Sequence, residues 1–222
     1  MTKRISKQLN SFKYKGEPIK ITIGTLILTC LCILLLISAT FTQITLTHPT
    51  WDVFKYFAGN SNYDTFNSVL KTYRYIPQIP VVFFIIALLG RKFGILAICG
   101  YILLGMFFPV FALGGGASYL FEYGFGYILA FIPATFFSGT LLKVKTDFLR
   151  IVLLSTLGVC AIHVLGILYM LFIATLRHAS MDLVSSWIAS QSGIQIWYDI
   201  FFAIMAVYLG RFIRKLTWIV MC

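Results

Sequence analysis

The sequence predicts an all-α membrane protein, a bundle of six transmembrane helices with both termini in the cytoplasm. Of its 222 residues, 59% are hydrophobic and 11% are charged, and the mean hydropathy is +0.90. A water-soluble domain carries roughly 25% charged residues, so this chain has less than half of the charge needed to solvate a surface. Lipid must therefore be the main solvent, which excludes a soluble enzyme, a nucleic-acid-binding protein and a disordered chain.

Four apolar segments are assigned directly as spans. They cover residues 21–41, 124–142, 151–175 and 194–210. The first is too long for a signal-peptide core and lacks a convincing small-x-small cleavage site, so we expect it to remain in the mature protein. A basic segment, residues 1–20, precedes the transmembrane domain, which extends over 21–216, and residues 217–222 form the C-terminal end.

The apolar stretch 76–113 contains only two charges, Arg91 and Lys92. A single buried helix would place both deep in lipid, at a cost of roughly 2.5–3.5 kcal/mol each. A tight hairpin that turns at Gly90 brings both to the interface instead. We therefore predict two short spans here, 76–90 and 93–108.

The positions of the basic residues orient these spans. Only Lys55, Lys71, Arg74 and Arg177 fall outside when the N-terminus is placed in the cytoplasm, and the other 14 of the 18 Lys and Arg residues fall inside. The positive-inside rule therefore predicts cytoplasmic termini and accounts for much of the net charge of +11. The outer loops are then 42–75, 109–123 and 176–193.

The first outer loop is predicted to contain short helices. Trp51, Phe54 and Phe57 recur at helical spacing, as expected for a helix lying in the aromatic belt of the membrane. Asp64 is a candidate cap for a second short helix that runs towards Tyr75.

The sequence shows no signature of a cofactor, a metal or a bound nucleotide. Five cysteines are present without metal-ligand or disulfide spacing, and those within apolar runs are interpreted as small core residues. The pattern GxxxxGK[ST] does not occur, so the chain does not bind ATP through a P-loop. Uphill transport would need a partner or an ion gradient.

Asp199 is the only acidic residue within an apolar span, and an intramembrane carboxylate is a candidate functional residue by default. Gln191, Gln195 and Asp199 are spaced at i, i+4 and i+8 and would form one polar stripe facing the bundle. Such a stripe suits a ligand with several N–H and C=O groups. The alternative is a helix N-terminus at the interface, where the dipole favours an aspartate in contact with water.

Three other features each allow two interpretations. Gln78 lies in the segment PQIP, one helical turn after Arg74. Its amide either faces a ligand or forms hydrogen bonds with unpaired backbone groups where proline interrupts the helix. The run Gly114–Gly116 permits close approach to a ligand, or serves a sharp turn. His163, in mid-span, is interpreted chiefly as a hydrogen-bonding partner for a neighbouring helix. Ser118 lacks the GxSG context of a rhomboid protease, so no catalytic residue is assigned.

An ordered series of motifs resembles the BioY family, the biotin-binding S components of energy-coupling-factor transporters. The series comprises GRKFGILA at 90–97, YILLG at 101–105, FPVFALGGG at 108–116 and GFGYILAF at 124–131. The match runs from about Gln78 to Phe131, with a weaker similarity around Asp199. Phe202 and Leu113 stand where the family pattern has Lys and Asn.

The resemblance implies a six-helix S component in a bacterial plasma membrane that mediates biotin uptake. Gln78, Phe111, Gly115, Tyr127 and Asp199 match family positions. With biotin as ligand, we expect Asp199 and Gln195 to bind the ureido ring, and Arg74 to bind the carboxylate. The rings expected to enclose the bicyclic system are those of Phe111, Tyr119, Tyr127 and Tyr198.

The resemblance also implies partners, a transmembrane coupling protein and two ATP-binding subunits. The first span lacks an AxxxA-like patch for a coupling protein, so a solitary transporter is the alternative. Other functional hypotheses are an S component or transporter for another small vitamin or metabolite, an intramembrane enzyme, and a structural membrane protein. If the ligand is another vitamin or metabolite, Leu113 and Phe202 are the residues expected to alter the specificity of the pocket.

Overall fold

The protein is described by a computed structural model covering residues 22–50, 52–58, 69–112, 114–142 and 147–217. Helices predominate in these residues, and two short strands are present. In chain order the elements are α1 (Ile23–Phe41), β1 (Ile44–Pro49), α2 (Val53–Phe57), β2 (Leu70–Tyr75), α3 (Gln78–Phe107), a 3-10 helix (Ala117–Phe121), α4 (Phe125–Leu141), α5 (Phe148–Leu176), α6 (Met181–Ser192) and α7 (Gln195–Leu216).

The helices form a membrane bundle, as predicted from hydropathy. Four helical segments are long and apolar enough to cross a bilayer: Ile23–Phe41, Gln78–Phe107, Phe148–Leu176 and Met181–Leu216. Phe125–Leu141 is a shorter apolar helix. Large apolar side chains such as Leu153 and Phe172 point outward, as expected when lipid surrounds the bundle.

Helix α3 reverses direction at Gly90, where φ is 73° and ψ is −172°. The Gln78 Nε2 atom lies 3.2 Å from the Tyr101 hydroxyl, although 23 residues of straight helix would separate them by about 34 Å. The two halves therefore lie side by side, and the predicted turn at Gly90 is observed. Arg91 is accommodated beside α4, where it donates to Thr140 Oγ1 at 3.2 Å.

The hairpin of α3 is the centre of the bundle. It packs against α1, α4 and α7, while α5 packs against α4 and α7. Glycines allow the closest approaches: a Cβ atom at Gly166 on α5 would lie 2.5 Å from the ring of Tyr127 on α4. Such contacts fix the distances between neighbouring helices of the bundle.

The segment between α1 and α3 corrects the all-α prediction, because β1 and β2 pair as antiparallel strands. The second short helix predicted towards Tyr75 does not extend into Leu70–Tyr75, which is a strand, and the rest of that prediction, with its proposed cap Asp64, lies outside the described residues. The alternation of Thr72 and Arg74 with Tyr73 and Tyr75 has the two-residue period of a strand, and Thr and Tyr favour it.

The short helix predicted around Phe54 and Phe57 is present as α2, and both side chains are exposed. Trp51 lies outside the described residues, as do 1–21 and 218–222.

Replacing Gly105 with Ala should destabilise the bundle. The added Cβ would lie 1.9 Å from the Phe111 ring, and overpacking of this kind costs about 1–3 kcal/mol. The apparent melting temperature in detergent should therefore fall. Gly124→Ala is the matched control, because its Cβ would meet nothing within 4 Å. Equal melting temperatures for the two variants would contradict this packing.

Candidate ligand-binding site

Strand β2 brings two tyrosines over the first turns of α7. Side chains alternate along a strand, so Tyr73 and Tyr75 face α7 while Arg74 lies on the exposed face. The Tyr73 ring stacks on Tyr198, with centroids 6.2 Å apart, and the Tyr75 ring lies 5.3 Å from that of Phe202. This aromatic layer covers one side of Asp199.

The carboxylate of Asp199 is fully buried, with 0% exposure, and both of its oxygens have partners. Tyr75 donates its hydroxyl to Oδ1 at 2.8 Å. The Nε2 atom of His163, on α5 and 2% exposed, lies 3.1 Å from Oδ2. Of the two interpretations of Asp199, the structure supports the one in which it faces the bundle. His163 bonds a neighbouring helix, as predicted.

A chain of hydrogen bonds continues beyond His163. Its Nδ1 lies 2.9 Å from Ser192 Oγ, which lies 2.7 Å from the Tyr127 hydroxyl. One proton arrangement satisfies every group: Tyr127 donates to Ser192, Ser192 donates to Nδ1 of a neutral His163, and Nε2–H donates to an ionised Asp199. The network thus supplies two donors to the carboxylate without a second charge.

Gln195 and Tyr73 form the outer edge of this group. The Tyr73 hydroxyl donates to Gln195 Oε1 at 2.7 Å. Burial, together with the nearby charge of Asp199, raises the pKa of Tyr73 to about 12 and pushes the pKa of Tyr75 well above its usual range. Both phenols therefore remain donors at physiological pH.

The predicted stripe of three polar residues is interrupted. Gln191 and Gln195 lie on different helices, because α6 ends at Ser192 and α7 begins at Gln195. Only Gln195 and Asp199 share a helix face, and the missing member is replaced by Ser192, which bonds His163 from the end of α6.

A second group of predicted residues surrounds Tyr101. Gln78 Nε2 donates to Thr40 Oγ1 at 2.7 Å and to the Tyr101 hydroxyl at 3.2 Å. The rings of Tyr101 and Phe111 lie 5.3 Å apart, and those of Phe111 and Tyr119 lie 4.6 Å apart. Phe111 and Tyr119 are buried against each other, so in this conformation their faces cover one another.

The glycine run folds its loop onto the end of α3. Gly114 and Gly116 have φ values of +119° and +92°, which favour glycine. A Cβ atom at Gly115 would lie 2.1 Å from the carbonyl oxygen of Phe108. The close approach made by Gly115 is therefore to the protein's own backbone.

The predicted site residues thus fall into two groups at one end of the bundle, with one exception. Asp199, Gln195, Tyr127 and Tyr198 lie in the first group, and Gln78, Phe111, Gly115 and Tyr119 in the second. Arg74 joins neither. Its assignment assumed one helical turn before Gln78, whereas residues 70–75 form a strand that points Arg74 outward.

Tyr73, Tyr75 and Ser192 were not recognised from the sequence, and His163 was not assigned to the site. The available signals were the alternating tyrosines of β2 and the presence of one His and one Asp within spans, since buried ionisable groups require partners. The described residues contain no cluster of three or more His, Cys, Asp or Glu side chains suited to a metal.

Ser192, His163 and Asp199 are hydrogen-bonded in the order of a hydrolase triad. Ser192 ends α6, where carbonyl groups rather than N–H groups point outward. The adjacent Gly193 N–H is already bonded to the Ala189 carbonyl at 3.1 Å. The Gly193 N–H is therefore not free to bind an oxyanion in this conformation.

Comparison with known proteins decides the family. The BioY family model matches residues 70–217, from β2 to the end of α7. The chain belongs to the BioY family. The resemblance found in the sequence is therefore confirmed, and the matched region contains all nine predicted site residues.

Two further comparisons accompany this result. The biotin transporter BioY of Thermotoga maritima is 32% identical over 143 residues, which cover 63% of this chain and 79% of that protein. A crystal structure of the S component for biotin from an ECF-type ABC transporter aligns with a TM-score of 0.62 at 18% identity. That alignment covers 87% of this chain and 92% of the solved one, and it shows a shared fold.

Removal of the Tyr75 hydroxyl should destabilise the ligand-free protein. Tyr75→Phe leaves Asp199 Oδ1 without its donor, and an unsatisfied buried acceptor costs about 1–3 kcal/mol. The apparent melting temperature in detergent should fall relative to Tyr208→Phe, which removes a hydroxyl from a partly exposed side chain near the other end of α7. Identical melting curves for both variants would show that Asp199 does not depend on Tyr75.

Proposed function

We propose that this protein is the high-affinity substrate-binding membrane subunit of a biotin uptake system. The observation that carries the proposal is the buried carboxylate of Asp199, with hydrogen-bonding and aromatic side chains around it. Membership of the BioY family and the similarity to a biotin transporter support biotin as the ligand. A transport role accounts for an intramembrane acid that has no catalytic surroundings.

Recognition is proposed to occur by exchange of donors on Asp199. The carboxylate is covered by the protein's own side chains in this conformation, so a ligand must displace Tyr75 and the strand that carries it. The ureido N–H groups of biotin then take the place of the phenol, with Gln195 as a further partner. Because one donor replaces another, the carboxylate remains paired throughout.

The aromatic residues supply the apolar part of the proposed pocket. Tyr127 packs against His163, and Tyr198 packs against Tyr73 and Tyr75. Phe111 and Tyr119 are proposed to separate from each other to admit the bicyclic system. Gln78 and Gly115 line the side next to α3. Burial of ring faces against a ligand contributes affinity in proportion to the apolar area removed from water.

The proposed topology has six crossings of a bacterial plasma membrane, with both termini in the cytoplasm. The side-by-side halves of α3 account for two of the crossings. Most of the Lys and Arg residues lie in sequence segments other than those next to β1 and β2, which supports cytoplasmic termini. The strands and Asp199 then lie on the outer side, where substrate arrives.

A membrane coupling protein and two ATP-binding subunits are the proposed partners, because the chain itself carries no P-loop. Copurification from the native membrane distinguishes this arrangement from a solitary transporter.

Binding of radiolabelled biotin to the purified protein tests the function. Saturable binding that unlabelled biotin displaces, and other vitamins do not, is the expected result. Displacement by a different vitamin would identify that vitamin as the ligand. If neither biotin nor another vitamin bound, the proposal would be contradicted.

Asp199→Asn should weaken biotin binding by at least about tenfold. Hydrogen bonds to charged groups contribute about 1.5–3 kcal/mol each, and the amide both loses the charge and presents an N–H to the ureido donors. Asp182→Asn, at an exposed position in the first turn of α6, is the control. An unaltered dissociation constant for Asp199→Asn would reduce this residue to a structural role.

Arg74 stays a prediction as the partner of the ligand carboxylate. Its neighbours on β2 face the site while its own side chain is exposed, so only the flexible tail of biotin would reach it. Arg74→Ala should then lower biotin affinity by about two- to fivefold, as expected for a solvent-exposed ion pair. Lys71→Ala, also exposed on β2, is the control, and equal affinities for both variants would remove Arg74 from the site.

A further inference from the structure

A cavity of about 620 Å³ opens at the end of the bundle opposite the strands. Its basic wall is formed by Arg211, Arg214 and Lys215, in the last turns of α7, and its apolar wall includes Ala87, Leu142 and Phe212. These basic residues begin about 18 Å along α7 from Asp199, at 1.5 Å per residue. The cavity is therefore separate from the proposed biotin site.

The basic wall places three positive charges within two turns of α7. Arg211 and Arg214 lie close enough for their charges to repel. Within the described residues, neither Arg214 nor Lys215 forms an ion pair; the pairs found there are His163–Asp199 and Arg177–Glu122. Cations are favoured at a helix C-terminus, but a half-buried guanidinium beside another one favours binding of an anion.

The fold holds Arg214 in place at the turn of α3. A Cβ atom at Gly90 would lie 3.7 Å from Arg214 Nη1, so the guanidinium rests directly over the point where the helix reverses. The left-handed φ of Gly90 and the absence of a side chain there make this position available. The cation is thus positioned before any anion arrives.

The apolar wall indicates which anion fits. Phe212 is 60% exposed and lies next to the cations, and Leu216 is exposed on the same terminal turns of α7. A free phosphate would leave these side chains uncovered, whereas a lipid places a phosphate and acyl chains side by side. Guanidinium groups bind phosphate oxygens in a bidentate manner.

We propose that this cavity binds the headgroup of an anionic phospholipid of the cytoplasmic leaflet. Arg214 and Lys215 contact the phosphate, and the acyl chains lie along Phe212. Basic pockets between helices on this side of a membrane suit anionic lipids. The inference shares the proposed topology with the biotin site but does not depend on the ligand at Asp199.

The test uses the full chain in neutral detergent, titrated with dioleoyl phosphatidylglycerol, dioleoyl phosphatidylcholine or inorganic phosphate and followed by native mass spectrometry. Phosphatidylglycerol should bind more tightly than phosphatidylcholine. Arg214→Gln and Lys215→Gln should each weaken it about fivefold, the contribution of one basic residue near a membrane surface. Lys71→Gln removes the same charge from β2 at the opposite end and should have no effect.

Three results would overturn the proposal. Equal binding of the two lipids would show that the cavity does not recognise the charge of the headgroup. An equal decrease for Lys71→Gln would show that the net charge of the protein, rather than this cavity, determines binding. Competition by inorganic phosphate at the same concentration as the lipid would assign the cavity to a soluble anion. Because Lys215 is exposed, its variant keeps the test valid if Arg214→Gln fails to fold.

Discussion

The pairing of one buried carboxylate constrains the architecture of this protein. Asp199 lies within a membrane helix and is fully buried, so its carboxyl oxygens must be matched by hydrogen-bonding groups from other elements. Tyr75 brings β2 to it, and His163 brings α5. Ser192 and Tyr127 then fix the orientation of the His163 ring and tie α6 and α4 to the same point. The hydrogen-bond network of the Asp199 carboxyl group thus joins β2, α4, α5 and α6 to α7.

The same requirement links the structure to binding. A carboxylate that the protein already satisfies is stable without ligand, and a ligand with its own N–H donors exchanges for the donor most easily moved. Tyr75 is carried on a strand of a two-stranded sheet, whereas His163 lies in the middle of a long helix. In the proposed mode of binding the strand is therefore the element expected to move, and the arrangement described here corresponds to the ligand-free state.

Much of the fold could be predicted because hydropathy determines which segments enter lipid, and the cost of burying Arg91 and Lys92 placed the turn at Gly90. The importance of Asp199 followed from the same cost. The strands could not be predicted in this way, since Leu70–Tyr75 is short and its partner lies across an intervening helix. Arg74 was placed by helical spacing that does not exist there. The link between His163 and Asp199 depends on packing of α5 against α7, which no local pattern encodes.

A structure of the protein with biotin bound would show whether the ligand exchanges with Tyr75 at Asp199. We expect the ureido nitrogens within hydrogen-bonding distance of the Asp199 carboxylate, with the Tyr75 hydroxyl moved away and His163 still bonded to Oδ2. Biotin bound elsewhere, with Tyr75 and His163 both still bonded to Asp199, would contradict it.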